Sequence, residues 1–144
     1  KPNLINVVPG EVYMTVDLRN IDEKKLKKAE DLLKQKIEHI CLAEKENVET
    51  EQLVRFKPVN FDKRISNIIA NISDEKGLQC TRLNSGAGHD AQMMARICPT
   101  SMVFVPSKDG ISHNPREYTS KEHLNYGLQI LYETINRIDL NLLD

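Results

Sequence analysis

The sequence predicts a mixed protein: a small α+β lobe over residues 1–58, followed by an α/β segment over residues 59–144. Three observations predict it. Residues 11–19, EVYMTVDLR, alternate apolar and polar side chains with period two, as a strand with one buried face does. Residues 26–40 carry apolar side chains at three- and four-residue steps, as a helix with one buried stripe does. From residue 62 onward the two patterns take turns in the order helix, strand, helix, strand, helix, unlike anything before residue 58.

Taken in order, "LINVV" ahead of the Pro9-Gly10 turn signal reads as the hairpin partner of the strand at 11–19. Asp22 stands where it caps a helix running to about Lys45, with the stripe Leu26, Ala29, Leu33, Ile37 and Ile40. The opposite face is crowded with Lys and Glu and reads as a solvated surface. Residues 48–57 read as a further strand with broken alternation, and residues 58–61 as a joint. Asp62 caps a second helix holding Ile65, Ile68, Ile69 and Ile72, and Gly77 ends it. "LQCTRL" reads as a short strand, "NSGAGHD" as a glycine-rich loop, and residues 91–97 as a helix that stops at Pro99. "SMVFVPS" is a nearly continuous apolar run, expected of a strand covered on both faces. Thr119 and Glu122 form a capping box for the last helix, whose stripe is Leu124, Leu128, Leu131, Ile135 and Ile138.

Composition narrows the function classes. The 144 residues suffice for one domain or two small lobes, and 40% apolar with 28% charged residues is globular. A net charge of −1 names no polyanionic partner, and the basic residues form no patch suited to nucleic acid. No apolar run approaches the roughly 18 residues of a membrane span, and no secretory signal is present. Cys41, Cys80 and Cys98 fit neither a disulfide framework nor a paired metal knuckle, so they read as reduced, structural thiols of a cytosolic chain. The chain opens without Met and enters a strand pattern at once, which reads as a fragment, a processed product or part of a longer chain.

Two loops follow α/β strands, where open sheets place their sites. In residues 85–90, SGAGHD, glycines let a backbone approach a ligand and helix-start amides hold an anion. The spacing Gly86-x-Gly88-x-x-Ala91, with Asp109 further on, loosely matches a dinucleotide fingerprint, but the polar segment before it departs from that motif. His89 and Asp90 read either as a ligand or base pair or as side chains bonding the loop backbone. In residues 110–115, GISHNP, His113 sits on a stiff turn that suits a zinc ligand, and equally suits an ordinary surface-loop histidine. His39 and His123 lie on helix patterns without partners. Cys98 has no evident base, which argues against a thiol nucleophile. A catalytic zinc needs about three protein ligands. The sequence has no HExxH, and the Glu-Xaa-Glu run at 49–51 lies in the small lobe, so spacing alone assembles no complete metal site.

Three stretches together, "PNLINVVPGEVYMTVDLR", "SGAGHDAQMMA" and "MVFVPSKDGISHNPRE", resemble the amidase/hydantoinase-carbamoylase family of the zinc aminoacylase and exopeptidase superfamily. That family includes N-carbamoyl-L-amino acid hydrolases, β-ureidopropionase and allantoate amidohydrolase. The resemblance implies a cytoplasmic enzyme with an α/β catalytic domain that carries two divalent ions (Zn, Mn, Co or Ni) and an α+β lid that carries a homodimer contact. Residues 1–58 then correspond to the second half of the lid, and 59–144 to the C-terminal part of the catalytic domain. The resemblance also assigns roles: His113 as a metal ligand, and Asn6, Arg19 and Gly88 as contacts to a small carboxylate substrate. It places the remaining metal ligands and the general base ahead of Lys1, so no catalytic residue is expected in this chain and the isolated chain is expected to be inactive. Two other readings remain: a non-catalytic remnant that self-associates through a sheet edge, and a nucleotide-binding α/β module.

Overall fold

The computed structural model describes residues 1–140. Four α-helices form: α1 (Glu23–Glu44), α2 (Lys63–Glu75), α3 (Asp90–Met94) and α4 (Lys121–Asp139), with a short 3-10 turn at Lys108–Gly110. The chain divides into two compact units, Lys1–Pro58 and a second that begins at Val59.

In the first unit, α1 starts where its sequence says it should. The Asp22 carboxylate accepts the amides of Lys24 and Lys25, satisfying donors that have no partner inside the helix. Its last turn closes on Lys45, which adopts a left-handed conformation (φ 56°). Of the expected stripe, Leu26 is buried, Ala29, Leu33 and Ile37 are half-buried, and Ile40 is exposed. Arg55 reaches α1 from the later segment and pairs with Glu23 and Glu30, each at 3.0 Å. Glu23 and Glu30 flank the apolar stripe, three and four residues from Leu26, and are half-buried.

In the second unit, Asp62 caps α2 by accepting the amides of Arg64 and Ile65. The Arg64 guanidinium on the same carboxylate is the main reason the Asp62 carboxyl sits below its ordinary range. Gly77 (φ 66°) ends the helix: its amide bonds Asp74 O and the next amide, of Leu78, bonds Ser73 O. That paired arrangement satisfies two terminal carbonyls and turns Leu78 inward against the core. The core is Ile65, Ile69 and Ile72 of α2 against Ile130 of α4, with Ile72 fully buried. Buried Ser73 and Thr134 each donate to the carbonyl one turn back, so their hydroxyls carry no unpaired cost. Arg137 on α4 pairs with Glu75 on α2 and lowers the Glu75 carboxyl below its usual range.

Several expectations are corrected. Among the described residues no β-ladder forms, so the strands expected at "LINVV" and at residues 11–19, 48–57, 78–83 and 101–107 are not displayed in this structure. Alternation prepares a segment for a sheet, but a strand exists only when a neighbouring backbone accepts its hydrogen bonds. Residues 5–6 instead form a turn, and Gly10 N–H donates to Lys1 O. The run at 101–107 is no better covered, for Phe104 is 55% exposed. The cap of α4 is Ser120, whose hydroxyl accepts the His123 amide, and not Thr119. The stripe of α4 also rotates: Leu124, Leu128, Leu131 and Ile135 are exposed, while Ile130 and Thr134 are buried and Ile138 packs on the core. The helix carries apolar side chains on more than one face, and α2 covers only one of them. Helix α3 is shorter than the expected 91–97, because residues 95–97 form turns.

Candidate functional site

The His113 loop is built on packing in the second unit. A Cβ at Gly127 of α4 would meet Val105 Cγ1 at 2.6 Å, so the segment entering the loop presses directly on the helix. Lys108 N–H donates to Tyr118 O at 2.8 Å and closes the loop at its base. Inside it, Asp109 (φ 57°) and Gly110 (φ 67°) both take the left-handed conformation that reverses the chain. Asn114 accepts the Arg116 amide on its side chain and the Glu117 amide on its carbonyl. His113 is exposed, with φ 55°, and its backbone N–H donates to Glu117 Oε2 at 2.8 Å. Sequence reading did not single out Glu117. The signal was present: a carboxylate four residues after a histidine, across an Asn-Pro turn.

The glycine-rich loop lies in the same unit. His89 caps α3, its Nδ1 accepting the Ala91 amide at 3.0 Å, so of the two roles weighed for this side chain the structure displays the bond to the loop backbone. Ser85 Oγ accepts the Ala87 amide. Gly88 is exposed, and a Cβ added there would meet nothing within 4 Å. No contact among the described residues therefore requires glycine at that position.

The first unit holds the other two residues. Asn6 is exposed on its turn. Arg19 forks onto its neighbour Asp17, with Nε to the two carboxylate oxygens at 2.9 and 3.0 Å and Nη2 to Oδ2 at 2.5 Å. This bidentate bond holds the Asp17 carboxyl below its ordinary value and raises the Arg19 guanidinium. Asp17 was also missed. Residues two apart on an alternating segment share a face, so Asp-Leu-Arg already placed the two side by side.

A neutral imidazole on a pinned, exposed loop fits one ligand position. Among the described residues, no group of three or more His, Cys, Asp or Glu side chains comes together to hold an ion. The three cysteines are free thiols, Cys41 half-buried and Cys80 and Cys98 exposed. Among the described residues no helix is long and apolar enough to cross a membrane.

Comparison with known proteins decides the lineage. The sequence profile of peptidase family M20/M25/M40 matches residues 3–137. The chain belongs to that family. It is 36% identical over 138 residues to an allantoate amidohydrolase of Bacillus subtilis, covering 96% of this chain and 34% of that protein. It is 34% identical over 134 residues to an N-carbamoyl-L-amino-acid amidohydrolase of Rhizobium meliloti, covering 93% of this chain and 32% of that one. The structure resembles a crystal structure of an amidase of the hydantoinase/carbamoylase family from Burkholderia multivorans, with TM-score 0.75 and 33% identity, over 80% of this chain and 28% of the other. The family resemblance carried by the three motifs is therefore correct. The chain spans about a third of the length of the curated relatives it matches.

Proposed function

We propose that this chain is part of a metal-dependent amidohydrolase that cleaves the ureido C–N bond of N-carbamoyl amino acids or allantoate. The observation that carries the reading is the match of residues 3–137 to family M20/M25/M40, with relatives named for those two activities. On this reading Lys1–Pro58 is part of a lid lobe, and the unit from Val59 is part of a catalytic domain.

On this reading each of four residues, His113, Arg19, Asn6 and Gly88, has a physical task. The imidazole of His113 holds one corner of a divalent metal site. A metal so held supplies Lewis acidity, polarising a carbonyl and lowering the pKa of water. Arg19 binds the substrate carboxylate through two parallel N–H donors, a geometry lysine cannot reproduce. Asp17 already holds the guanidinium through its carboxylate, and an incoming substrate carboxylate shares or displaces that partner. Asn6 offers amide hydrogen bonds. Gly88 offers its backbone at close range, which the open space around it permits. The donor set names no single metal among Zn, Mn, Co and Ni.

The test is metal retention. The chain is dialysed against zinc or manganese, and ions per chain are counted for the wild type and His113→Ala. One weakly held ion that His113→Ala removes supports the reading. An ion retained equally by both proteins overturns the assignment of His113. In the same protein carrying the family's full length, Arg19→Lys is expected to lower kcat/KM on the order of tenfold.

A second reading has its own observation. In the first unit Val12, Met14 and Val16 are all more than half exposed. An apolar segment of that kind supports self-association through the lid-like lobe. Sedimentation that finds dimers at micromolar concentration supports it, and monomers alone refute it.

A further inference from the structure

We propose that Glu117 is a positioning residue for His113: its carboxylate takes the His113 backbone N–H and holds that residue in the left-handed conformation from which the imidazole leaves the loop. The proposal rests on the reading of His113 as a metal ligand.

The argument starts from an unfavourable backbone. A residue with a Cβ is uncommon at positive φ, and His113 stands at 55°. Something outside the residue must hold it there. The candidates on its own loop are few and specific. Asn114 draws the Glu117 amide onto its carbonyl at 2.8 Å and the Arg116 amide onto its side chain at 3.0 Å, making a tight turn. That turn brings the Glu117 side chain back over the residue before Asn114. Glu117 Oε2 then accepts the His113 amide at 2.8 Å. An ionised acceptor makes this the strong bond of the loop. Residue 117 thus bonds the turn twice, once through its amide and once through its carboxylate. Below the turn, the bond from Lys108 N–H to Tyr118 O and the contact of Val105 with α4 fix the loop to the core. The Cα–Cβ direction from which the imidazole departs is consequently set by a chain of contacts that runs from α4 to Glu117 and ends at the His113 backbone. A ligand whose direction is fixed in advance binds its ion with less ordering cost than one that must be ordered on binding.

The test uses the isotope-labelled chain with two readouts, amide hydrogen exchange at His113 and zinc titration followed at the His113 ring. Glu117→Ala is expected to speed exchange of the His113 amide about tenfold or more, the loss of one charge-assisted hydrogen bond. Glu117→Gln keeps an oxygen acceptor and is expected to restore part of the protection. Amides of Ile69 and Ile72 in α2 report the fold, and are expected to be unchanged in both variants. Zinc affinity at His113 is expected to fall several-fold in Glu117→Ala and less in Glu117→Gln. Equal exchange at His113 in the wild type and Glu117→Ala overturns the proposal. So does faster exchange with undiminished zinc affinity, because the loop conformation would then be irrelevant to the ligand. Zinc binding that survives His113→Ala instead removes the ligand reading alone, and the exchange arm still decides whether Glu117 holds the loop.

Discussion

In the unit that begins at Val59, isoleucines from two helices close over one another; in Lys1–Pro58, the longest helix among the described residues buries one leucine. Both units contain an amphipathic helix with a well-formed cap. They differ in what lies opposite. Helix α2 meets α4, so Ile72 is sealed on every side. Helix α1 meets a segment that supplies Arg55, which pairs with Glu23 and Glu30 of the helix itself, and its stripe is only half covered beyond Leu26. An apolar stripe is thus an offer of burial, and hydrophobic stabilisation follows only where a second element accepts it. The first unit leans correspondingly more on charge pairs, which water and salt weaken.

The largest effect that could break this comparison is at Ile72. Ile72→Ala is expected to cost about 2–5 kcal/mol, because the surrounding α2–α4 contact relaxes only partly around the cavity. Leu26→Ala is expected to fall at or below the low end of that range, since its exposed surroundings can collapse. Urea denaturation of both variants checks the order, and a larger loss at Leu26 would show that the first unit is the better packed. Next is Gly127→Ala. The added methyl meets Val105 at 2.6 Å, and overpacking of about 1–3 kcal/mol outweighs a helix-propensity gain of about 1 kcal/mol. The net loss, on the order of 1 kcal/mol, is read from the melting temperature. Val105→Ala in the same chain is expected to remove the clash. The smallest effect is at the Glu75–Arg137 pair. Its folded-state carboxyl is lowered, so the stabilisation it gives is fully present above the ordinary glutamate range and is lost as pH falls through the lowered value. Acid titration is expected to loosen α2 from α4 slightly, seen in amide exchange, and Arg137→Gln is expected to abolish that dependence.

Local signals in the sequence were legible because their causes are local. Asp22 and Asp62 cap helices through bonds spanning two or three residues, and Gly77 ends α2 because a left-handed turn favours glycine. The three motifs were enough to place the chain in its family. The cap of α4 was missed by one residue because Thr119 and Ser120 are chemically alike, and only backbone geometry decides which of them accepts an amide. The partners of the site residues were half legible. Asp17 and Glu117 stood at informative spacings, but spacing does not say that one carboxylate takes a guanidinium and the other an amide.

By itself, then, the sequence determined where α1 and α2 start, where α2 stops, and which family the chain belongs to, since each depends on residues close together in the chain. Only the tertiary structure decided which face of α4 is core, whether alternating segments become strands, and how His113 is held. Those outcomes depend on distant backbone arriving at the right place: α2 against Ile130, no ladder partner for residues 11–19 among the described residues, and a carboxylate folded back across a turn.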